Sequence, residues 1–549
     1  MSKQNHSLLN RPDSPLDVSN RSETIKEIHE LEEINKLVPK NEPITPMQEV
    51  NKAYGVCKFG RFHVKLLFVS FFGCVSSILV TNTTSYLLPI AECDLNMNLQ
   101  QKGLLNAMAY FGMFLSTVIA GFLIDTFGRI YFLRVGFGGI FLCTVFSATS
   151  QTYEMLAAAK FCEGVLFATS VAAISSLTSE FCHSTVRDRV MLCQSSYAAI
   201  AQIISPAMAW VILIQNWKHS FFDGRFVLNT WNFYLLIVSI WSLIAFLLYS
   251  ILPESPKFLV TQKRYVEARN ILIQVYSENN RKPADTFPYP NMFDSEIKEQ
   301  ELQKIDEKRK HKVGAKIIAG LKNMKPLLGK PLIGYLLLIG SMQFIILGIH
   351  NVIRLWFPQL STIVEHYKLD GNQNLCGLLD TYTDNLKLKS ASNSTSEVCI
   401  PHVSGAETYI NSIVIGVISI LPYFISGVVV NKVGKKFLLF IGGVLSVVSL
   451  LGMRWSNSKI MMVAFFSINI AVNQTMKSLT QVVLIDVVPT SMRTLALSLV
   501  MLIARIGTLI SNIAFPILLA IGCTIPFYTM TAMMSCVLVM TVFLPKKKQ

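Results

Sequence analysis

Several residues able to do chemistry lie inside otherwise apolar runs. Lys160 and Glu163 are three apart, so on a helix they share one face and can neutralise each other. That spacing fits a structural ion pair and a proton relay equally well. His350 and Arg354, four apart, share a face with Asn351 between them, and Gln343 extends it two turns earlier. Together they read as a cavity wall carrying hydrogen-bond donors and a fixed cation. Tyr197 and Gln202, then Asn473 and Gln474, then Arg505 and Asn512 add polar groups in three further apolar runs. Charges within a membrane are costly and mark solute paths, so the polar residues of these last runs are candidates for a substrate cavity.

A second set of charges recurs at one spacing. Gly121, Asp125, Gly128 and Arg129 reappear 306 positions later as Gly427, Asn431, Gly434 and Lys435, and Glu180, Ser184, Thr185 and Arg187 as Asp486, Thr490, Ser491 and Arg493. One offset across two motifs marks a duplicated architecture. With Glu254 of the run PESPK (253–257), these groups are expected to form a cytoplasmic gate network that closes in one state and opens in another. Asn431 carries no charge, so the second copy is expected to be weaker.

The elements that must position these residues follow from composition. Apolar residues make up 52% of the chain and charged residues 15%. The charges cluster, leaving a dozen windows able to cross a ~30 Å hydrocarbon core. These windows lie near 66–90, 103–124, 131–149, 154–179, 192–214, 232–252, 332–354, 408–430, 437–453, 459–485, 494–519 and 522–544. Runs so long and continuous suit helices rather than barrel strands. The expected fold is therefore an all-α membrane protein of twelve helices in two six-helix bundles, 66–252 and 332–544. Flanking them are a largely disordered tail (1–65), a central loop with short helices (253–331), an outward loop (355–407) and a basic end (545–549).

The net charge of +15 is mostly topology. The central loop carries sixteen Lys/Arg, whereas residues 355–407 carry three basic residues against six acids. By the positive-inside tendency, both termini and the central loop are expected in the cytoplasm. The polar first ~65 residues contain no cleavable signal, so the first span is expected to be the targeting element. A capping box at Thr24–Glu27 opens an amphipathic stretch through Leu37, a candidate docking site for a trafficking partner. Cys376 and Cys399 fall in the outward loop, where a disulfide between them is expected, and Asn393 between them is the expected glycosylation site. No cofactor, metal site, nucleic-acid partner or enzymatic motif is expected: there is no phosphate loop, zinc spacing or nucleophile elbow.

GFLIDTFGR (121–129), Glu180 with Arg187, PESPKFL (253–259) and DVVPTSMR (486–493) resemble the signature set of the major facilitator superfamily, in its sugar-porter and organic-ion branches. The stretches 85–113, 252–259 and RLWFPQL (354–360) are closer still to the synaptic vesicle glycoprotein 2 group and its insect relatives. The resemblance covers roughly 60–545. It implies two bundles around a central cavity, and a plasma-membrane or vesicle location. It also implies that spans four, five, seven, ten and eleven line the cavity, and that Lys160 occupies a position associated with proton coupling, which makes Lys160 and Glu163 coupling candidates. Asn232 departs from the arginine usual there. Two functions follow: transport of a small solute, favouring an organic anion or a neutral polar solute because membrane-embedded cations outnumber acids; or a transporter-shaped vesicle glycoprotein with a regulatory or trafficking role.

Overall fold

The computed structural model describes residues 45–303, 332–366, 374–391, 404–422, 433–488 and 493–544, together with 329 and 429. The first half comprises α1 (Pro46–Cys57), α2 (Arg61–Asp94), α3 (Leu99–Phe127), α4 (Arg129–Ala148), α5 (Tyr153–Glu180), α6 (Ser184–Leu213) and α7 (Thr230–Ile251). Short helices α8 (Pro256–Thr261), α9 (Tyr265–Asn280) and α10 (Asp294–Gln303) follow. The second half comprises α11 (Leu332–His366), α12 (Leu375–Ala391), α13 (Ala406–Ile418), α14 (Lys435–Arg454), α15 (Lys459–Val487), α16 (Arg493–Ile521) and α17 (Thr524–Val542). An antiparallel hairpin, β1 (Lys218–Phe221) with β2 (Phe226–Asn229), joins α6 to α7, a small exception to the all-helical expectation.

Nine of the described helices are long and apolar enough to cross a membrane. The helices α3 and α15 match them in length, and α13 is a shorter apolar helix. Together with these three, the described helices agree with two sets of six spans. The duplication reaches the caps. Gly128 and Gly434, 306 positions apart, both take positive φ (106° and 88°) at the turn into a twenty-residue helix. Thr152 and Ser458, at the same offset, each cap the next helix by accepting a bond from the backbone of Met155 and Met461.

We call the end of the bundle bearing these two glycine turns the tail side, and the opposite end, bearing the hairpin and α12, the loop side. On the tail side the chain is ordered well before residue 65. Val50, Ala53, Tyr54 and Cys57 of α1 are buried against the linker helices. Asn279 of α9 fixes the turn between α1 and α2: its Nδ2 donates to the Cys57 and Lys58 carbonyls (3.1 and 3.0 Å) and its Oδ1 accepts from the Phe62 amide (3.0 Å). Polarity alone suggested a disordered tail here, but one apolar face of α1 suffices to dock it. The stretch from Thr24 to Leu37 and the basic end at 545–549 lie outside the described residues.

Two expectations on the loop side are corrected. The seventh span does not stop at 354; α11 continues to His366, with Pro358 inside it, because Trp356, Phe357, Leu360, Ile363 and Val364 are all buried. Arg354 therefore lies near the middle of a 35-residue helix and not at an interface. Cys376 pairs with Cys523, not with Cys399 (Cα–Cα 5.2 Å). The cause is the seating of α12 across the ends of the second bundle. The Leu375 amide donates to the Ser456 carbonyl (3.0 Å), and the Cys523 amide donates to Asp380 Oδ1 (2.7 Å). Cys93 is also disulfide-bonded, while Cys399 and Asn393 lie outside the described residues. Cys376→Ser should expose the Cys523 thiol to a maleimide, seen as a mass shift without reductant, and Cys399→Ser should leave Cys523 protected.

Candidate solute cavity between the halves

The halves meet through α3 with α16, α6 with α13 and α2 with α11. A Cβ on Gly103 of α3 would stand 2.5 Å from Pro516 Cγ and 2.8 Å from the Asn512 carbonyl, so only glycine allows this approach. Tyr86 and Tyr409 add a ring contact at 6.3 Å. Deeper in, Arg354 Nη2 donates to Tyr110 Oη of α3 (2.9 Å), and Arg505 Nη1 donates to the Met113 carbonyl (3.0 Å). Among the described residues, these ties between the halves run from mid-depth to the loop side.

At mid-depth they surround a cavity with about 480 Å³ of empty space, including space that opens to solvent. Tyr86 comes from α2 and Gln202 from α6; His350, Arg354 and Phe357 come from α11; Ser412, Ile415 and Gly416 come from α13, with Ser419 just past its end; Ile470 and Gln474 come from α15. Arg354 Nη2 also donates to Asn351 Oδ1 (3.1 Å), whose amide donates to Thr508 Oγ1 (3.0 Å), which fixes the guanidinium. Asn82 Nδ2 donates to Gln202 Oε1 (3.0 Å), leaving the Gln202 amide nitrogen for the cavity. Arg354 Nε, His350 Nδ1 and Gln474 Oε1 are buried and find no hydrogen-bond partner among the described residues. Lys477 lies close enough to both Arg354 and Arg505 for its charge to interact with theirs. No carboxylate lines the cavity among the described residues.

Of the ten cavity candidates, Gln202, His350, Arg354 and Gln474 line it, and Asn351 and Arg505 support it from behind. The other four sit elsewhere. Gln343 joins α11 to α15 through Thr480 and the Lys477 carbonyl (2.8 Å to the latter). Asn473 belongs to a closed cluster with Asn469 and Ser446 between α14 and α15. Asn512 donates to the Thr508 carbonyl one turn back (2.9 Å). Tyr197 packs edge-on against Phe71 within the first half. Spans five, seven and ten line the cavity as the resemblance implies, whereas four and eleven do not. Tyr86 and Ser412, from spans one and eight, were not anticipated. The consecutive polar run Asn82 to Tyr86 inside an apolar span was the available signal.

Lys160 and Glu163 form a fully buried pair (Nζ–Oε2 2.9 Å) away from the cavity. Ser147 Oγ donates to Glu163 Oε1 (2.7 Å), and Lys160 Nζ donates to Thr83 Oγ1 (3.1 Å). A second buried pair, Lys102 with Glu92 (2.6 Å), went unanticipated. Asn232 has a capping role: its Oδ1 accepts from the Asn229 amide and its Nδ2 donates to the Ala148 carbonyl (both 2.8 Å).

The gate residues assemble within each half. Arg129 Nη2 pairs with Glu180 (2.9 Å), and Glu254 accepts the amides of Arg129, Ile130 and Ser255 (3.1, 3.0 and 2.9 Å). A carboxylate there faces the positive end of α4. In the second half Lys435 pairs with Asp486. Arg187 is exposed in the first turn of α6, within electrostatic reach of Lys257. Asn431 and the side chains of Asp125 and Arg493 lie outside the described residues. Among the described residues, the printed ion pairs of the gate candidates each lie within one half.

Burial raises the Glu254 carboxyl above its ordinary 4.5, opposed by its three backbone donors. The folded state then binds more protons than the unfolded one, so stability falls as pH rises from 4.5 through the raised value. Glu254→Gln should flatten that slope in thermal melts. A Cβ at Gly128 would stand 2.5 Å from Glu254 Oε2, on a backbone of positive φ, so Gly128→Ala should cost about 1–3 kcal/mol in the same melts.

Two six-helix halves around a polar central cavity are the architecture of multi-pass membrane transporters. Residues 59–345 match the family model for sugar (and other) transporters, and residues 398–549 match that for the major facilitator superfamily. The chain belongs to the sugar (and other) transporter family of the major facilitator superfamily, whose members are transporters and not enzymes. It is 27% identical to synaptic vesicle glycoprotein 2A of Rattus norvegicus over 226 residues, 41% of this chain and 30% of the relative. With synaptic vesicle glycoprotein 2B of the same organism it shares 27% over 229 residues, 41% and 33% of the two chains. The chain thus aligns with about a third of the length of these curated relatives. In fold it is similar to the xylose transporter of E. coli in a partially occluded inward-open conformation: TM-score 0.59, 14% identity, 88% of this chain and 100% of the other. A D-xylose–proton symporter gives a TM-score of 0.59 at 16% identity, over 88% and 98%.

Proposed function

We propose that the chain carries a small organic anion across a vesicle or plasma membrane. One observation carries this reading. Arg354 lines the cavity with an unpartnered Nε, the charge of Lys477 adds to its own, and no carboxylate lines the cavity among the described residues. A cationic solute would meet an unfavourable field there, whereas an anion gains a charge-assisted partner. The Gln202 amide, Ser412 and Gln474 provide both donors and acceptors for hydroxyl or amide groups on the same solute.

The tail side is taken as cytoplasmic because the basic central loop attaches there. Ties from mid-depth to the loop side then correspond to an inward-facing state, and the braces around Glu254 and Asp486 keep each half rigid as the halves rock. A thermal-stability screen of detergent-purified protein against organic anions, cations, sugars and nucleotides tests the class. A ligand at a hundred times its Kd stabilises by about 2.7 kcal/mol. Anions alone should give a saturable shift. A shift with cations and none with anions would reject the reading. No shift from folded protein would favour the second reading, a transporter-shaped vesicle glycoprotein with a regulatory or trafficking role.

A further inference from the structure

We propose that His350 takes up one proton when the anion binds, so that anion and proton cross the membrane together. This inference rests on the anion reading above and assigns its coupling site. His350 lines the cavity one turn from Arg354, and its Nδ1 is buried without a hydrogen-bond partner among the described residues. The charged and titratable groups around it are few. Arg354 lies on its own helix and Lys477 on α15, whose Ile470 backbone also bonds the imidazole; Arg505 on α16 acts on Lys477, Tyr110 on α3 acts on Arg505, and Tyr86 on α2 lines the cavity; the groups that α6 and α13 present to the cavity, Gln202, Ser412 and Ser419, are neutral.

In the empty cavity an imidazolium would add a third positive charge beside Arg354 and Lys477 with no acid to answer it. A bound carboxylate changes that balance. It accepts from Arg354 and, once His350 has taken a proton from water, from the imidazolium N–H as well. The imidazole is the one cavity-lining group that titrates near neutral pH in its unperturbed form. On the other side the carboxylate leaves, His350 returns its proton to water, and the cavity resets. One negative and one positive charge have then moved, so the transfer is electroneutral. The Lys160–Glu163 pair cannot serve this cycle as it stands, because all its partners are inside the first half and it does not line the cavity.

Calorimetric titration of the full-length protein with lactate, benzoate and glucuronate, in buffers of differing ionisation enthalpy, counts the protons taken up per anion bound. The expected count is close to one for the wild type; His350→Gln should bind more weakly, with a count per anion bound close to zero. Should His350→Gln not fold, the wild type alone decides: affinity should fall about tenfold per pH unit between the pKa of the imidazole in the empty cavity and its pKa with the anion bound. In proteoliposomes an inward proton gradient should also drive anion accumulation. Anion binding with no proton uptake, or with uptake unchanged in His350→Gln, overturns the coupling role and leaves the anion reading standing. No binding of any anion overturns both.

Discussion

Arg354→Gln should abolish anion-dependent stabilisation while leaving the fold intact. Glutamine keeps a donor near Tyr110 and Asn351, the two partners Arg354 holds at 2.9 and 3.1 Å, so the helix contacts lose little. What disappears is the charge. A charge-assisted hydrogen bond contributes about 1.5–3 kcal/mol, and a two-pronged one to a carboxylate more, so affinity should fall on the order of 10- to 100-fold or beyond. Arg354→Lys should recover part of it, since the charge returns without the planar fork. The readout is the ligand-induced shift in melting temperature, with the unliganded melt as the control for folding.

The second large effect concerns stability. Glu163→Gln leaves the Lys160 ammonium buried with Thr83 as its remaining hydrogen-bonding partner among those described, and breaking a buried ion pair in this way costs about 3–5 kcal/mol. The double variant Lys160→Met with Glu163→Met removes both charges and should recover most of that loss. If the pair were a proton relay rather than a brace, the double variant would be stable yet unable to accumulate solute against a gradient. If it is a brace, uptake survives. Thermal melts and uptake on the same samples separate the two.

Much of the fold was legible because the bilayer leaves a chain few options. Uninterrupted apolar runs must become helices, and the 306-residue offset already related Gly128 to Gly434 before any coordinates. Boundaries failed where burial, not hydropathy, decides. WFPQLSTIV reads as the start of a loop because it contains Pro358 and Gln359, yet it continues α11 as its apolar residues pack into the second half. That error put Arg354 at the very end of the seventh span in the sequence reading. The cavity was half legible. Polar residues within spans were the right place to look, but composition cannot separate one that faces a cavity, such as Gln474, from one that serves a neighbouring helix, such as Asn473 one position earlier. Helical rotation alone divides them. Cys376 shows a different limit, since two cysteines in one loop are near neighbours in sequence, whereas the bridge to Cys523 depends on how α12 lies across the second bundle.

The most direct test of the central claim is uptake into proteoliposomes of a labelled anion chosen from the stability screen, compared between the wild type and Arg354→Gln. The account predicts saturable, anion-selective uptake by the wild type and its loss in Arg354→Gln at matched protein incorporation. Saturable uptake of a cation that Arg354→Gln leaves unchanged, or no uptake of any solute by correctly folded protein, would contradict it.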